Sequence, residues 1–120
     1  VKKLAIFTPY CKRLNDEVVE YFSNEGFHIS ANTYLDIAAD YDIGKVDQNF
    51  LFEVLSNMEI KDSDALFVSC TALPVLSVIN ELEKKINKVV LSSNQTLIWD
   101  TLKEINYDNK VEGFGELFNN

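Results

Sequence analysis

The chain has 120 residues, which is enough for one domain with a single hydrophobic core. Nineteen acidic residues against eleven basic ones give a net charge of −8, and such a surface repels the phosphates of nucleic acid. No apolar run approaches the roughly 20 residues of a membrane span, and the first residues lack a signal-peptide hydrophobic region. We therefore expect an intracellular, cytoplasmic protein without a membrane or nucleic-acid partner.

The amino-terminal part of the chain predicts a strand, a helix and a second strand. Residues 4–7 form a short apolar run that proline stops, which is typical of a buried strand. Apolar residues recur at helical spacing from Leu14 to Phe22, and Gly26 ends this helix. Residues 27–35 alternate loosely and predict the next strand.

The middle of the chain begins with a loop over residues 36–47, with room for a helical turn. A helix with apolar positions from Phe50 to Met58 follows, and Asp47 is its expected cap. Residues 65–69 read as a buried strand, and the stripe over residues 75–86 predicts the helix after it.

The last strand is predicted at residues 89–91, and the polar segment Ser92-Ser93-Asn94 supplies a cap for the final helix. The apolar stripe of that helix consists of Ile98, Trp99, Leu102 and Ile105. Strand and helix thus alternate four times, and the strands are unbroken apolar runs. This order predicts an α/β fold with a four-stranded parallel sheet flanked by helices on both faces.

Polar residues gather where three of the predicted strands end. Ligands of open parallel sheets bind at these carboxyl ends, which here carry Thr8-Pro9-Tyr10, Ser69-Cys70-Thr71 and Ser92-Ser93-Asn94-Gln95. Cys70 stands at a predicted strand-to-helix junction. The free N–H groups of a helix start favour a thiolate and can hold an anion, so Cys70 is the first candidate for function.

Metal and disulfide chemistry are not expected from the composition. The two cysteines, Cys11 and Cys70, form no CxxC pair, and the single histidine would need carboxylates to complete a zinc site. That histidine, His28, is expected to be a surface residue or a satisfied core residue. Glycine-rich phosphate-binding motifs are also absent.

In combination, the strand-end motifs resemble the aspartate/glutamate racemase superfamily, and most closely its branch of maleate cis–trans isomerases and arylmalonate decarboxylases. The resemblance rests on Thr8-Pro9-Tyr10 followed by Asn15, Val68-Ser69-Cys70-Thr71-Ala72-Leu73, Ser92-Ser93-Asn94-Gln95 with Trp99, and the tail Gly113-Phe114-Gly115-Glu116-Leu117.

Members of this superfamily have two similar Rossmann-like α/β halves with the active site between them. The resemblance implies that residues 1–120 are a single α/β domain that corresponds to the second, carboxyl-terminal half. The first half has no counterpart here. The chain is then either a domain of a longer protein, which we favour, or a short chain that pairs with another subunit, such as a second copy of itself.

The resemblance implies cofactor-independent chemistry at a carbon beside a carboxylate. In racemases of the family, one thiolate takes the α-proton while an opposed thiol returns one. In the maleate isomerases, one cysteine adds to the double bond and the other handles the proton, so that the C–C bond can rotate. Cys70 would be the second, acid/base thiol. Tyr10 would bond the substrate through its hydroxyl, although a packing role is the alternative.

The remaining site residues are also assigned by resemblance. Thr71 and the amides after it, beginning with Ala72, would hold a substrate carboxylate, and Asn15 matches a carboxylate-binding asparagine. A plain helix cap is the alternative for both side chains. Asp40 falls where the branch carries a further substrate-binding asparagine. A carboxylate at this position would repel a substrate carboxylate, unless Asp40 is merely exposed on the loop.

Two residues are expected to support the site rather than touch substrate. Asn94, with Ser93 beside it, is expected to cap the last helix and fix the loop next to Cys70. Trp99 lies on the apolar stripe and is expected in the core.

The leading functional hypothesis is a domain of an isomerase that acts on a small carboxylate or dicarboxylate such as maleate. Racemisation of an acidic amino acid or a hydantoin, and decarboxylation of a malonate, are the enzymatic alternatives. A non-catalytic domain that binds small carboxylates or a protein partner is the alternative of another class. The isolated domain should be inactive, because one wall of the pocket lies outside this chain.

Overall fold

The computed structural model describes residues 1–120 and contains four strands and five α-helices. The strands are β1 (Lys3–Thr8), β2 (His28–Tyr34), β3 (Ala65–Val68) and β4 (Val89–Ser92). The helices are α1 (Lys12–Asn24), α2 (Asp40–Ile43), α3 (Gln48–Ser56), α4 (Ile79–Ile86) and α5 (Ser93–Glu104). Two short 3₁₀ helices cover Leu76–Val78 and Glu116–Asn119.

The four strands form one parallel sheet in the order β2-β1-β3-β4. The main hydrophobic core lies on one face, where Phe7 and Val68 pack with residues of α3 and α4. A smaller cluster on the other face joins Leu4 and Ile6 to Phe22 of α1. The structure therefore confirms the predicted parallel sheet with helices on both faces.

Two of the predicted helix caps are present, and at one of them the capping residue differs from the predicted one. The Asp47 carboxylate accepts the N–H of Phe50 at 3.2 Å and begins α3, as the sequence predicted. At α5 the cap is Ser92, which forms a reciprocal capping box with Gln95. The expectation that Asn94 caps this helix is wrong, because Asn94 already lies in its first turn.

The apolar stripe predicted along α5 does not enter the core. Ile98 and Ile105 are 45% and 64% exposed, and Trp99 is only half-buried. The indole N–H of Trp99 donates to the carbonyl of Asn120, and Lys103 lies over its ring. Helical spacing alone does not decide which side of a helix meets the sheet. No helix of the structure has the length and hydrophobicity of a membrane span.

The carboxyl-terminal tail is fastened between α4 and α5. Buried Glu83 accepts the N–H of Val90 at 2.9 Å and the N–H of Glu116 at 2.8 Å, while Gln95 donates to the carbonyl of Phe114. These bonds form a seam between the tail and the two helices, and Gly115 lies in it. Gly115 has φ +94°, and a Cβ there would come within 2.8 Å of the Ile79 side chain. The tail thus requires glycine at residue 115 for both backbone and space.

Candidate functional site

The register of the sheet brings the polar strand ends together. Phe7 lies opposite Val68, and Val68 lies opposite Ser92. The segments that follow these three residues therefore leave the sheet at the same edge. They carry Thr8-Pro9-Tyr10, Ser69-Cys70-Thr71 and Ser93-Asn94, so the fold juxtaposes the segments that the sequence singled out.

Cys70 occupies a constrained turn directly after β3. Its φ of 99° lies in the left-handed region, which is costly for a residue with a side chain and recurs at functional sites. Ser93 Oγ accepts the Cys70 N–H at 3.1 Å and so helps to hold this turn. The residue is 9% exposed, and its side chain borders the main core on one side.

The structure corrects the expectation that a helix starts at Cys70. The chain runs through a turn over residues 71–75 before the 3₁₀ helix at Leu76–Val78, and α4 begins only at Ile79. The N-terminus of α4 therefore does not act on the Cys70 thiol. For the same reason, the alternative that Thr71 caps a helix is wrong. Pro74 and the buried side chains of Leu73 and Val75 occupy this stretch instead.

Tyr10 reaches across from β1 to the end of β3. Its hydroxyl lies 3.2 Å from Ser69 Oγ, within hydrogen-bond distance. Burial raises the pKa of Tyr10 above its ordinary value, the Ser69 bond opposes this shift, and the neighbouring Cys70 thiol and Asp40 carboxylate add to it. The phenol therefore stays protonated at neutral pH and can donate a hydrogen bond beside the Cys70 thiol.

The turn after Cys70 presents unused backbone donors. The N–H groups of Thr71 and Ala72 have no acceptor in the chain, and both residues are exposed. Asn94 Nδ2 donates to the Thr71 carbonyl at 2.9 Å, which ties this turn to the start of α5. The arrangement leaves two adjacent N–H groups open to an anionic oxygen at the rim of the sheet.

Asn15 lies beneath this edge. It is fully buried within α1, which begins at Lys12, so the alternative that Asn15 caps this helix is wrong. Its Oδ1 accepts from Thr8 Oγ1 at 2.8 Å, and its Nδ2 donates to Asn32 Oδ1 at 2.7 Å. These bonds fix the end of β1 from below, and contact of Asn15 with a carboxylate stays a prediction.

Asp40 is exposed at the start of α2, close enough for its charge to act on Tyr10. Cys11 and His28 are the remaining candidates from the sequence. Half-buried Cys11 precedes α1, and His28 is exposed, as expected for a surface histidine. The largest concavity, about 1060 Å³, lies between β2 and α3, away from Cys70.

Two further residues contribute to the edge in ways that the sequence alone did not indicate. Ser69 is the direct partner of the Tyr10 hydroxyl, which the pairing of β1 with β3 would have suggested. Asn32 completes the buried network around Asn15 and also donates to the carbonyl of Ile6. Its position in β2 gave no signal of this partner 17 residues away.

The fold and this edge define a class: α/β domains with a thiol and a phenol at the carboxyl ends of a parallel sheet. Comparison with known proteins makes the class specific. The sequence model of the arylmalonate decarboxylase family matches residues 1–118. The chain belongs to this family.

Characterised relatives and solved structures agree with this membership. The chain is 29% identical to a maleate isomerase of Geobacillus stearothermophilus over 117 residues, which cover 97% of this chain and 47% of the relative. The chain thus spans about half the length of the curated relatives it matches and corresponds to their second half.

Two solved structures superimpose closely. The maleate isomerase Iso of Pseudomonas putida S16, in a mutant form with maleate, matches with a TM-score of 0.93 at 28% identity, over 98% of this chain and 47% of that one. A cysteine-to-serine mutant of the Nocardia farcinica maleate cis–trans isomerase, with a covalently bound succinylcysteine intermediate, matches with a TM-score of 0.92 at 25% identity, over 98% and 48%.

Proposed function

We propose that this chain is one half of a cofactor-independent isomerase for a small unsaturated carboxylate such as maleate, with Cys70 as its acid/base thiol. The observation that carries the proposal is the placement of Cys70 beside the Tyr10 hydroxyl at the carboxyl edge of the sheet. Membership of the family and the similarity to maleate isomerases support the reaction type.

Substrate binding follows from the donors at this edge. One carboxylate would accept the free N–H groups of Thr71 and Ala72, and such charge-assisted bonds are stronger than neutral ones. The protonated Tyr10 hydroxyl would donate to the substrate next to Cys70. Ser93 and Asn94 would keep the turn in place, because they bond the Cys70 N–H and the Thr71 carbonyl.

The chemical step requires a group on each side of the double bond. A nucleophilic thiolate from the other half would add to one alkene carbon, and the displaced electron pair would take a proton from the Cys70 thiol at the adjacent carbon. The resulting C–C single bond can rotate. Cys70, now a thiolate, would remove a proton from that carbon, and the C–S bond would break as the double bond reforms.

The opposed nucleophile must lie outside these 120 residues. The only other thiol, Cys11, is half-buried and immediately precedes α1. The Nocardia relative carries a succinylcysteine, so a cysteine of that enzyme forms a covalent bond with substrate carbon. In our proposal such a cysteine comes from the other half of the enzyme. That half corresponds to the part of the relatives that this chain does not cover.

A fusion protein tests the proposal. Residues 1–118 would replace the matched half of the Geobacillus isomerase, and ¹H NMR of the olefinic protons would follow maleate and its monoamide. We expect isomerisation that Cys70→Ser reduces at least about 100-fold, in line with the loss of a general acid. Cys11→Ser is the matched control and should retain activity. Equal activity of the folded Cys70→Ser and parent fusions would refute the role of Cys70.

The same fusion separates the alternative functions. Decarboxylation of a malonate is the second candidate, because the matching family is that of arylmalonate decarboxylase. This reaction would appear as release of CO₂ from an arylmalonate. A folded fusion that binds these acids at residues 69–73 but converts none of them would instead indicate a non-catalytic binding domain.

A further inference from the structure

The segment from Asp36 to Gly44 spans the rim of the site. At one end, the Asp36 N–H donates to the Tyr10 carbonyl at 3.0 Å, and the next N–H donates to the Pro9 carbonyl. At the other end, a Cβ on Gly44 would lie 3.8 Å from the carbonyl oxygen of Ala72. Asp40 begins α2 between these two anchoring points, so its position relative to Tyr10 and Ala72 is set by backbone contacts.

The Asp40 carboxylate forms no ion pair within the chain. None of the four ion pairs includes this carboxylate. Its negative charge reaches the site, because it is among the groups that raise the pKa of Tyr10. A substrate held between Tyr10 and the turn after Cys70 would experience the same field.

The strand-end segments offer no cation to compensate a second substrate carboxylate. Residues 8–11, 69–73 and 92–95 contain no lysine, arginine or histidine. The nearest basic residues in sequence, Lys12 and Arg13, are already paired with carboxylates of α1. The N–H groups of Thr71 and Ala72 are two adjacent free donors at this edge, and together they suit a single carboxylate.

We propose that Asp40 makes this site selective for a cis-unsaturated monocarboxylate whose far substituent carries N–H donors, namely a carboxamide, over the corresponding dicarboxylate. This inference rests on the proposed function of the Cys70 edge. The carboxylate end binds Thr71 and Ala72, and the amide end donates to the Asp40 carboxylate. A second carboxylate meets a like charge instead, which selects against it.

Binding to the chain itself tests this inference. The ¹⁵N-labelled protein is titrated at neutral pH with maleate, a dianion, and with its monoamide, maleamate, a monoanion. The N–H signals of residues 69–73 report binding. We expect the wild-type chain to bind the monoamide more tightly, and Asp40→Asn to shift the ratio of the two dissociation constants toward maleate by about fivefold to tenfold, as for a partly screened charge pair.

Asp42→Asn is the matched control, because it makes the same change of net charge within the same short helix. It should leave the ratio of dissociation constants within about twofold, since a distant exposed charge is screened. An equal shift in both variants would attribute the effect to net charge and overturn the inference. So would a wild-type chain that binds maleate at least as tightly as the monoamide.

The titration also separates this inference from the function on which it rests. Maleate binding at residues 69–73 with a ratio that Asp40→Asn does not change would refute the selectivity and leave the carboxylate site standing. If neither acid perturbs residues 69–73, the proposed carboxylate site fails and the selectivity fails with it.

Discussion

The hydroxyl of Tyr10 makes a residue-scale prediction about pH. Its pKa is raised, chiefly by burial, so the folded chain keeps this proton at a pH where the unfolded chain has lost it. The free energy of unfolding should therefore fall as pH rises above about 10, the ordinary tyrosine value. Urea unfolding between pH 9 and 11 should show a smaller fall for Tyr10→Phe than for the wild type. Tyr41→Phe, at a 75% exposed position, should not reduce it, and equal slopes for all three proteins would contradict this account.

At the scale of elements, the seam between the tail and helices α4 and α5 makes a steric prediction. A methyl group at Gly115 would collide with Ile79 and sit at φ +94°, so Gly115→Ala should lower the free energy of unfolding by about 2–4 kcal/mol. Gly113 also has positive φ, but a Cβ there meets nothing within 4 Å. Gly113→Ala should cost only about 1–2 kcal/mol in urea unfolding. Equal losses would mean that the seam does not hold the tail.

The buried carboxylate of the same seam makes a second prediction at this scale. Glu83→Gln would leave one acceptor where two backbone N–H groups now bind, and should destabilise the chain by about 1–3 kcal/mol. Glu81→Gln breaks an exposed ion pair with Lys84, whose side chains are 66% and 65% exposed. That change should cost less than about 0.5 kcal/mol. Thermal or urea unfolding compares the two, and a larger loss at Glu81 would be inconsistent with the observed hydrogen bonds.

At the scale of the whole molecule, the candidate site is an open edge rather than an enclosed pocket. The largest concavity lies elsewhere, and the matched relatives are about twice as long as this chain. We therefore expect the chain alone to show no turnover of maleate or its monoamide over hours, as measured by ¹H NMR. Turnover by the chain alone that Cys70→Ser abolishes would show that the chain needs no second wall.

The sequence by itself determined the fold, because apolar runs mark β1, β3 and β4, loose alternation marks β2, and each strand is followed by a recognisable helix or loop signal. It also placed Tyr10, Cys70 and Ser93 at strand ends, and parallel strands bring their carboxyl ends to one edge. The cap at Asp47 was predictable for a similar reason, since a cap depends only on residues within one turn of the chain.

Only the tertiary structure decided how that edge is built. A turn follows Cys70, so α4 begins only at Ile79. Buried apolar residues within this turn imitate the spacing of a helix, which is why the sequence predicted an earlier start. The partner of Asn15 lies 17 residues away, and the orientation of Trp99 depends on where α5 meets β4 and the tail. Local patterns carry no information about such distant contacts, because packing between elements sets them.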